Sequence, residues 1–270
     1  MAGAAPFAAA GLAQPRTVPV GLELYSVRGE LMKNLPGTVT AVAKMGYQVV
    51  EFYSPYFKWT TEQAKEYRTL LDDLGIRCPS THNSAQYLSD ENIARTIELN
   101  QIIGSNAIII ASPPKVSGAD GWKGFAGQLT AAAEKLRPHK MYTGFHNHAM
   151  EWRPLDMGQR PMDILASGTP QHVILQLDVG TTVEAGADPV AWINANPGRT
   201  KSLHLKDWGK EAGYAVAFGE GDAPWRAILQ AAEAKGGVEY YLIEQERAGP
   251  DGELAMVRRC LENYKKLRAA

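Results

Sequence analysis

Met141-Tyr142-Thr143-Gly144-Phe145-His146-Asn147-His148 (residues 141–148) is a largely apolar run that ends in two imidazoles, with Glu151 three residues beyond. Imidazole and carboxylate are the usual protein ligands for a divalent metal. The same construction recurs downstream. Val173-Ile174-Leu175-Gln176-Leu177-Asp178 ends in a carboxylate, Ser202-Leu203-His204-Leu205-Lys206 carries a histidine at the end of its apolar run, and Tyr241-Leu242-Ile243-Glu244 ends in a second carboxylate. Upstream, Glu23, Glu51 and His82 hold the matching places. Apolar runs that repeatedly end in ligand-type residues are the pattern of a (β/α)8 barrel with its active site on one rim.

The segments between these runs read as helices. Strands are expected at 18–25, 47–53, 76–81, 107–111, 141–146, 173–178, 200–205 and 239–244. Helices are expected at 31–45, 60–74, 90–103, 124–137, 161–167, 188–194, 224–235 and 251–267. Gly46, Gly75 and Gly104 stand where a helix needs a stop, Thr60 where one needs an N-cap, and Pro189 at a first turn. Eight strands alternating with eight helices specify an α/β fold, a single-domain (β/α)8 TIM barrel over 18–270. The competing doubly wound sheet lacks its Gly-rich dinucleotide turn after the first strand.

Composition is that of an ordinary globular chain: 270 residues, 45% hydrophobic and 21% charged. A formal net charge of -1 gives no electrostatic case for nucleic acid or an anionic membrane as partner. The two cysteines, Cys78 and Cys260, lack metal or redox spacing and read as small apolar residues. Residues 1–17 form a flexible Ala-rich segment, either the remnant of an export signal without its basic region or a loosely packed end, so an exported and a cytoplasmic protein both stand.

Each rim residue has a plain reading beside its chemical one. A lone Asp after a strand is as often a helix cap, but Asp178, His204 and Glu244 at successive strand ends point together to a metal site. Glu151 is a further candidate ligand, although it lies past its strand end. His82 is read as a substrate contact or a packed rim histidine. Glu51 is either a functional carboxylate at the substrate or a buried partner of Arg28 or Lys206. Trp208 stacks on a sugar face or simply packs. Four of the six histidines fall on the expected rim, whereas His139 and His172 precede strands and read as structural.

The segments GLELYSVR, HNHAMEW, LQLDVGTTVEAG, SLHLKDW, FGEGDAPW and LIEQE resemble those of the xylose isomerase-like TIM barrels, the sugar phosphate isomerase/epimerase family. The resemblance implies one divalent metal ion (Mn, Zn, Co or Mg) held by residues of strands five to eight, and so assigns Asp178, His204 and Glu244. At strand five many relatives carry Glu-Asn-His where this chain has His146-Asn147-His148, which leaves His146 or Glu151 as the fourth ligand. It implies a sugar isomerase/epimerase acting on a sugar or keto-sugar through a metal-stabilised enediolate. Glu244 is then the base, His146 or His148 its counterpart, and Lys206 the support of the oxyanion. Arg28 and Glu220 complete the expected substrate contacts. Loss of the strand-five glutamate gives the alternative of a carbon–oxygen lyase or dehydratase on 3-keto-glycosides or inososes. A non-catalytic sugar-binding barrel and a DNA-repair nuclease are the readings of other classes, the second disfavoured by net charge. Relatives in the family are often homo-oligomers.

Overall fold

The computed structural model describes residues 17–269, so the Ala-rich segment, apart from Thr17, lies outside the described residues. Eight parallel strands close a barrel in chain order: β1 Val20–Glu23, β2 Val49–Phe52, β3 Arg77–Ser84, β4 Ala107–Ser112, β5 Tyr142–His146, β6 Ile174–Asp178, β7 Ser202–Leu205 and β8 Tyr240–Ile243. Around it run α1 Arg28–Lys33, α2 Leu35–Met45, α3 Thr61–Asp73, α4 Ile93–Ile103, α5 Gly118–Leu136, α6 Pro161–Gly168, α7 Val179–Glu184, α8 Pro189–Ala195, α9 Trp225–Ala231 and α10 Glu253–Ala269. No described helix is long and apolar enough to cross a membrane.

Alternation along each strand divides the chain between two surroundings. Leu175 and Leu177 of β6, Leu203 and Leu205 of β7, and Tyr241 and Ile243 of β8 join the large apolar cluster under the helices. Their neighbours face the barrel axis. Val49, Tyr240 and Leu242 form one apolar cluster there, and Ala107, Ile109 and Ile174 another. Above that plug the inward residues turn polar: Glu51, Ser80, His82, His146, Gln176, His204 and Glu244, all buried. The polar residues at the strand ends therefore share one layer, floored by hydrocarbon.

Two glycines let neighbouring strands close at inward positions. A Cβ on Gly144 would stand 2.5 Å from the Ile174 carbonyl oxygen, and one on Gly21 would overlap the backbone of Val49. The expected helix 31–45 is instead two, broken at Asn34, whose side-chain oxygen accepts from Gly37 N at 3.0 Å to start the second. Helix α7 was not expected. Asp178 starts it by accepting from Thr181 N at 2.8 Å.

Candidate metal centre

Parallel pairing sets the rim in register: Asp178 lies beside His204, and His146 beside Gln176. Donor atoms of His146, Asp178, His204 and Glu244 lie within 4.8 Å of one another, and all four residues are buried. Each donor is aimed by a defined partner.

Gln176 aims the histidine of β5. Its amide nitrogen donates to Glu51 Oε2 (3.1 Å) and Ser202 Oγ (2.8 Å), so its oxygen must accept. His146 Nδ1 donates to that oxygen at 3.0 Å, which leaves Nε2 unprotonated, 3.8 Å from Asp178 Oδ2. Burial, then the nearby His204 and His82, hold the His146 pKa well below the ordinary imidazole value, so it presents a neutral lone pair. Asp178 divides its carboxylate. Oδ1 caps α7, whereas Oδ2 is buried without a hydrogen-bond partner. A buried orphan carboxylate oxygen is costly unless a cation meets it.

His204 lies between two carboxylates. Its Nδ1 donates to Glu244 Oε2 at 2.6 Å and its Nε2 to Glu51 Oε1 at 2.9 Å. Burial opposes its charge, but these two hydrogen bonds outweigh that and push its pKa up to about 10. Burial would raise Glu244, yet Lys206 and His204 bring it well below the usual carboxylate range. Lys206 Nζ, itself buried, stands 3.3 Å from Glu244 Oε1 and 3.7 Å from Asp178 Oδ2, and also pairs with Glu246. A mixed N/O donor set with a carboxylate oxygen free of hydrogen bonds fits a borderline divalent ion such as zinc or manganese.

Glu51 partners neither Arg28 nor Lys206. It is buried among Ser80, His82, Gln176 and His204, where it orients the two histidines. Arg28 is half-buried, donating to the Tyr25 and Glu246 carbonyls and lying over the Tyr25 ring. Glu151 is not brought into the donor group. Its Oε2 accepts from His148 N at 2.6 Å, and that turn fixes the β5 loop. His148 is half-buried and lines a cleft of about 360 Å³ with Arg153, Thr181, Lys206, Tyr214 and Arg247. Glu220 points away from the site, forming a two-pronged ion pair with Arg259 of α10. Trp208 is half-buried and has no aromatic partner among the described residues. His139 and His172 lie at the far ends of β5 and β6.

Sequence reasoning missed Gln176 and Asp207. Asp207 accepts from Gly219 N, Gly221 N, Trp208 N and Trp225 Nε1 and so ties down the loop after β7. Gly221 is required there, because a Cβ would stand 2.5 Å from the Trp208 carbonyl oxygen. The Gly219-Glu220-Gly221 turn is thus a structural clamp. The signal in sequence was a polar residue inside an apolar run (Gln176) and an acid followed by a Gly-x-Gly turn.

The chain is similar to solved structures over nearly its whole length. A sugar phosphate isomerase/epimerase from Parabacteroides distasonis matches at 22% identity and TM-score 0.77, covering 94% of each chain. The probable 3-DHS dehydratase AsbF from Bacillus anthracis matches at 14% identity and TM-score 0.71, covering 92% of this chain and 98% of that one. The IolI protein, solved with a zinc atom, matches at 15% identity and TM-score 0.68, covering 92% and 95%. At these identities the likeness carries the fold. No curated protein matches by sequence. The family described as xylose isomerase-like TIM barrel matches residues 39–264. By that match, and with its closed eight-stranded barrel, the chain belongs to the xylose isomerase-like TIM barrel family.

Proposed function

We propose that the chain is a divalent-metal-dependent enzyme of the sugar isomerase/epimerase type, acting on a sugar or keto-sugar. The observation that carries the reading is the donor group His146, Asp178, His204 and Glu244, in which Asp178 Oδ2 is buried and has no hydrogen-bond partner. These four residues would hold the ion. A bound divalent ion supplies Lewis acidity, polarising a substrate carbonyl.

The chain's own residues do the rest. Glu244 is the ionised carboxylate at the site and takes the proton from the carbon beside the carbonyl, with Oε1 the atom turned toward Lys206. Lys206 holds its proton, because the pull of Glu244, Asp178 and Glu246 outweighs the burial that would lower its pKa. It donates to the oxygen on which charge develops. His148, on the cleft wall, carries a proton to or from the far carbon of the substrate. The apolar plug below the donor group keeps bulk water from that side.

A second reading, a carbon–oxygen lyase or dehydratase, is favoured by one observation. Strand β5 ends in an imidazole held neutral, so a pair of opposed glutamates bonded to one ion is not present at β5 and β8. If the group leaving beside the deprotonated carbon receives its proton from His148, the same site eliminates. Proton NMR in D2O of free ketoses and 3-keto-glycosides with metal-loaded enzyme separates the two. Deuterium at the carbon beside the carbonyl, with an interconverted sugar, supports the isomerase/epimerase. Loss of the β-oxygen substituent supports the lyase, and no exchange with either substrate overturns both.

A further inference from the structure

The imidazole of His82 lies against that of His204, ring centroids 4.9 Å apart and planes 9° from parallel. Both rings present Nε2 to the same atom, Glu51 Oε1, at 3.0 Å from His82 and 2.9 Å from His204. Both turn Nδ1 toward a second carboxylate. For His204 that carboxylate is Glu244, at 2.6 Å. For His82 it is Glu23, at 3.9 Å. The arrangement that aims His204 at the metal centre is therefore present twice.

The second copy is open. His82 Nε2 also meets Gln176 Oε1 at 2.7 Å, and that oxygen can only accept, so Nε2 carries the proton and Nδ1 does not. Glu23 Oε2 accepts from Tyr25 N at 2.6 Å, but Oε1 is buried with no hydrogen-bond partner, in a residue with no exposed surface. Two atoms able to serve as metal ligands thus face each other across 3.9 Å, too far for a hydrogen bond between them. An ion about 2.0–2.2 Å from each ligand atom spans such a gap. Donor atoms of Glu23, Glu51 and His82 lie within 4.8 Å of one another, so Glu51 adds negative charge even though its oxygens are occupied by hydrogen bonds.

We infer that the rim holds a second divalent-cation site between Glu23 Oε1 and His82 Nδ1, separate from the group His146, Asp178, His204 and Glu244. Its two protein ligands leave the remaining coordination positions to water or substrate oxygen. It fills after the four-ligand site and binds more weakly.

Zinc titration of the chelator-stripped full chain tests this, followed by calorimetry and, in crystals, by anomalous scattering at the zinc edge. The wild type is expected to take up two ions in two steps. Glu23→Gln is expected to take up one, losing the weaker step, and Asp178→Asn to lose the tighter. An anomalous peak between Glu23 and His82 supports the site; if the wild type binds that ion alone, the order of filling and the metal reading of the Asp178 group both fail. One ion at the Asp178 group with water or nothing at Glu23, two ions retained in Glu23→Gln, or no ion at all overturns the inference. Should Glu23→Gln fail to fold, His82→Gln removes the facing donor and is read in the same way. The count of ions does not depend on turnover of any sugar.

Discussion

His204 sets the charge balance of the rim. Without an ion both its nitrogens donate to carboxylates, and its pKa is pushed up to about 10, so at neutral pH it carries a proton that a metal must displace. The sign follows directly. Below pH 10 each unit of rising pH removes a tenfold share of the competing proton, so apparent zinc affinity climbs with pH, by about tenfold per unit from this group alone. Proton release measured in weakly buffered solution is expected to approach one per ion at pH 7 from His204. Affinity independent of pH between 6 and 8 would sink this account. Glu51 belongs to the same argument, because it holds the far nitrogen of His204. Glu51→Gln is expected to weaken zinc binding about 10–100-fold, the usual effect of losing a partner behind a ligating histidine. Unchanged affinity by competition with a chromogenic chelator would show that Glu51 does not position His204. Residue identity at the rim was legible in part. His146, Asp178, His204 and Glu244 end apolar runs and were visible, whereas Gln176, which selects the tautomers of two histidines, hides inside a run whose pattern announces only a strand.

Among the elements, the strands were the most legible and the loops the least. A strand such as β6 is fixed by alternation and by burial on both sides, signals that lie within six residues. The loop after β7 is fixed by Asp207 reaching Gly219, Gly221 and Trp225, contacts 12 to 18 residues away that no local pattern records. This is why Glu220 was expected to face the substrate: a Gly-Glu-Gly turn on the active rim looks like a binding loop until its clamp is seen. Helix α7 escaped for a related reason, since six residues after Asp178 are too few to show a helical period. The clamp makes a quantitative prediction. Asp207→Ala strands four donors, one of them (Trp225 Nε1) buried and the other three part-buried, and is expected to destabilise the fold by about 2–4 kcal/mol in urea unfolding. Gly144→Ala acts on β5 instead. Its Cβ would press on the Ile174 carbonyl, and a loss of about 1–3 kcal/mol is expected, with weaker metal binding because His146 is two residues along. A stability change within about 0.5 kcal/mol of wild type would mean that β5 and β6 separate at little cost.

Over the whole molecule, the barrel concentrates the buried carboxylates Glu23, Glu51, Asp178 and Glu244 around its axis at one end, against the cations Lys206 and His204. Crowding of this kind disfavours the folded state, and the chain already answers it by raising Glu23 well above its ordinary pKa, through burial and then through Glu244 and Glu51. A divalent ion that meets Asp178 Oδ2 relieves the same repulsion, and it binds only where β5 to β8 are assembled. The ion must therefore stabilise the fold as a whole. An ion at 100 times its Kd adds about 2.7 kcal/mol, which for a barrel of this size raises Tm by about 5–10 °C. The rise is expected to be larger at pH 8 than at pH 6, because the His204 proton competes less, and in Asp178→Ala to shrink to the smaller contribution of the weaker Glu23–His82 site while that variant stays folded. Differential scanning calorimetry with and without zinc at the two pH values reads both differences. Equal shifts in wild type and Asp178→Ala would show that the ion stabilises the barrel from somewhere other than the Asp178 group.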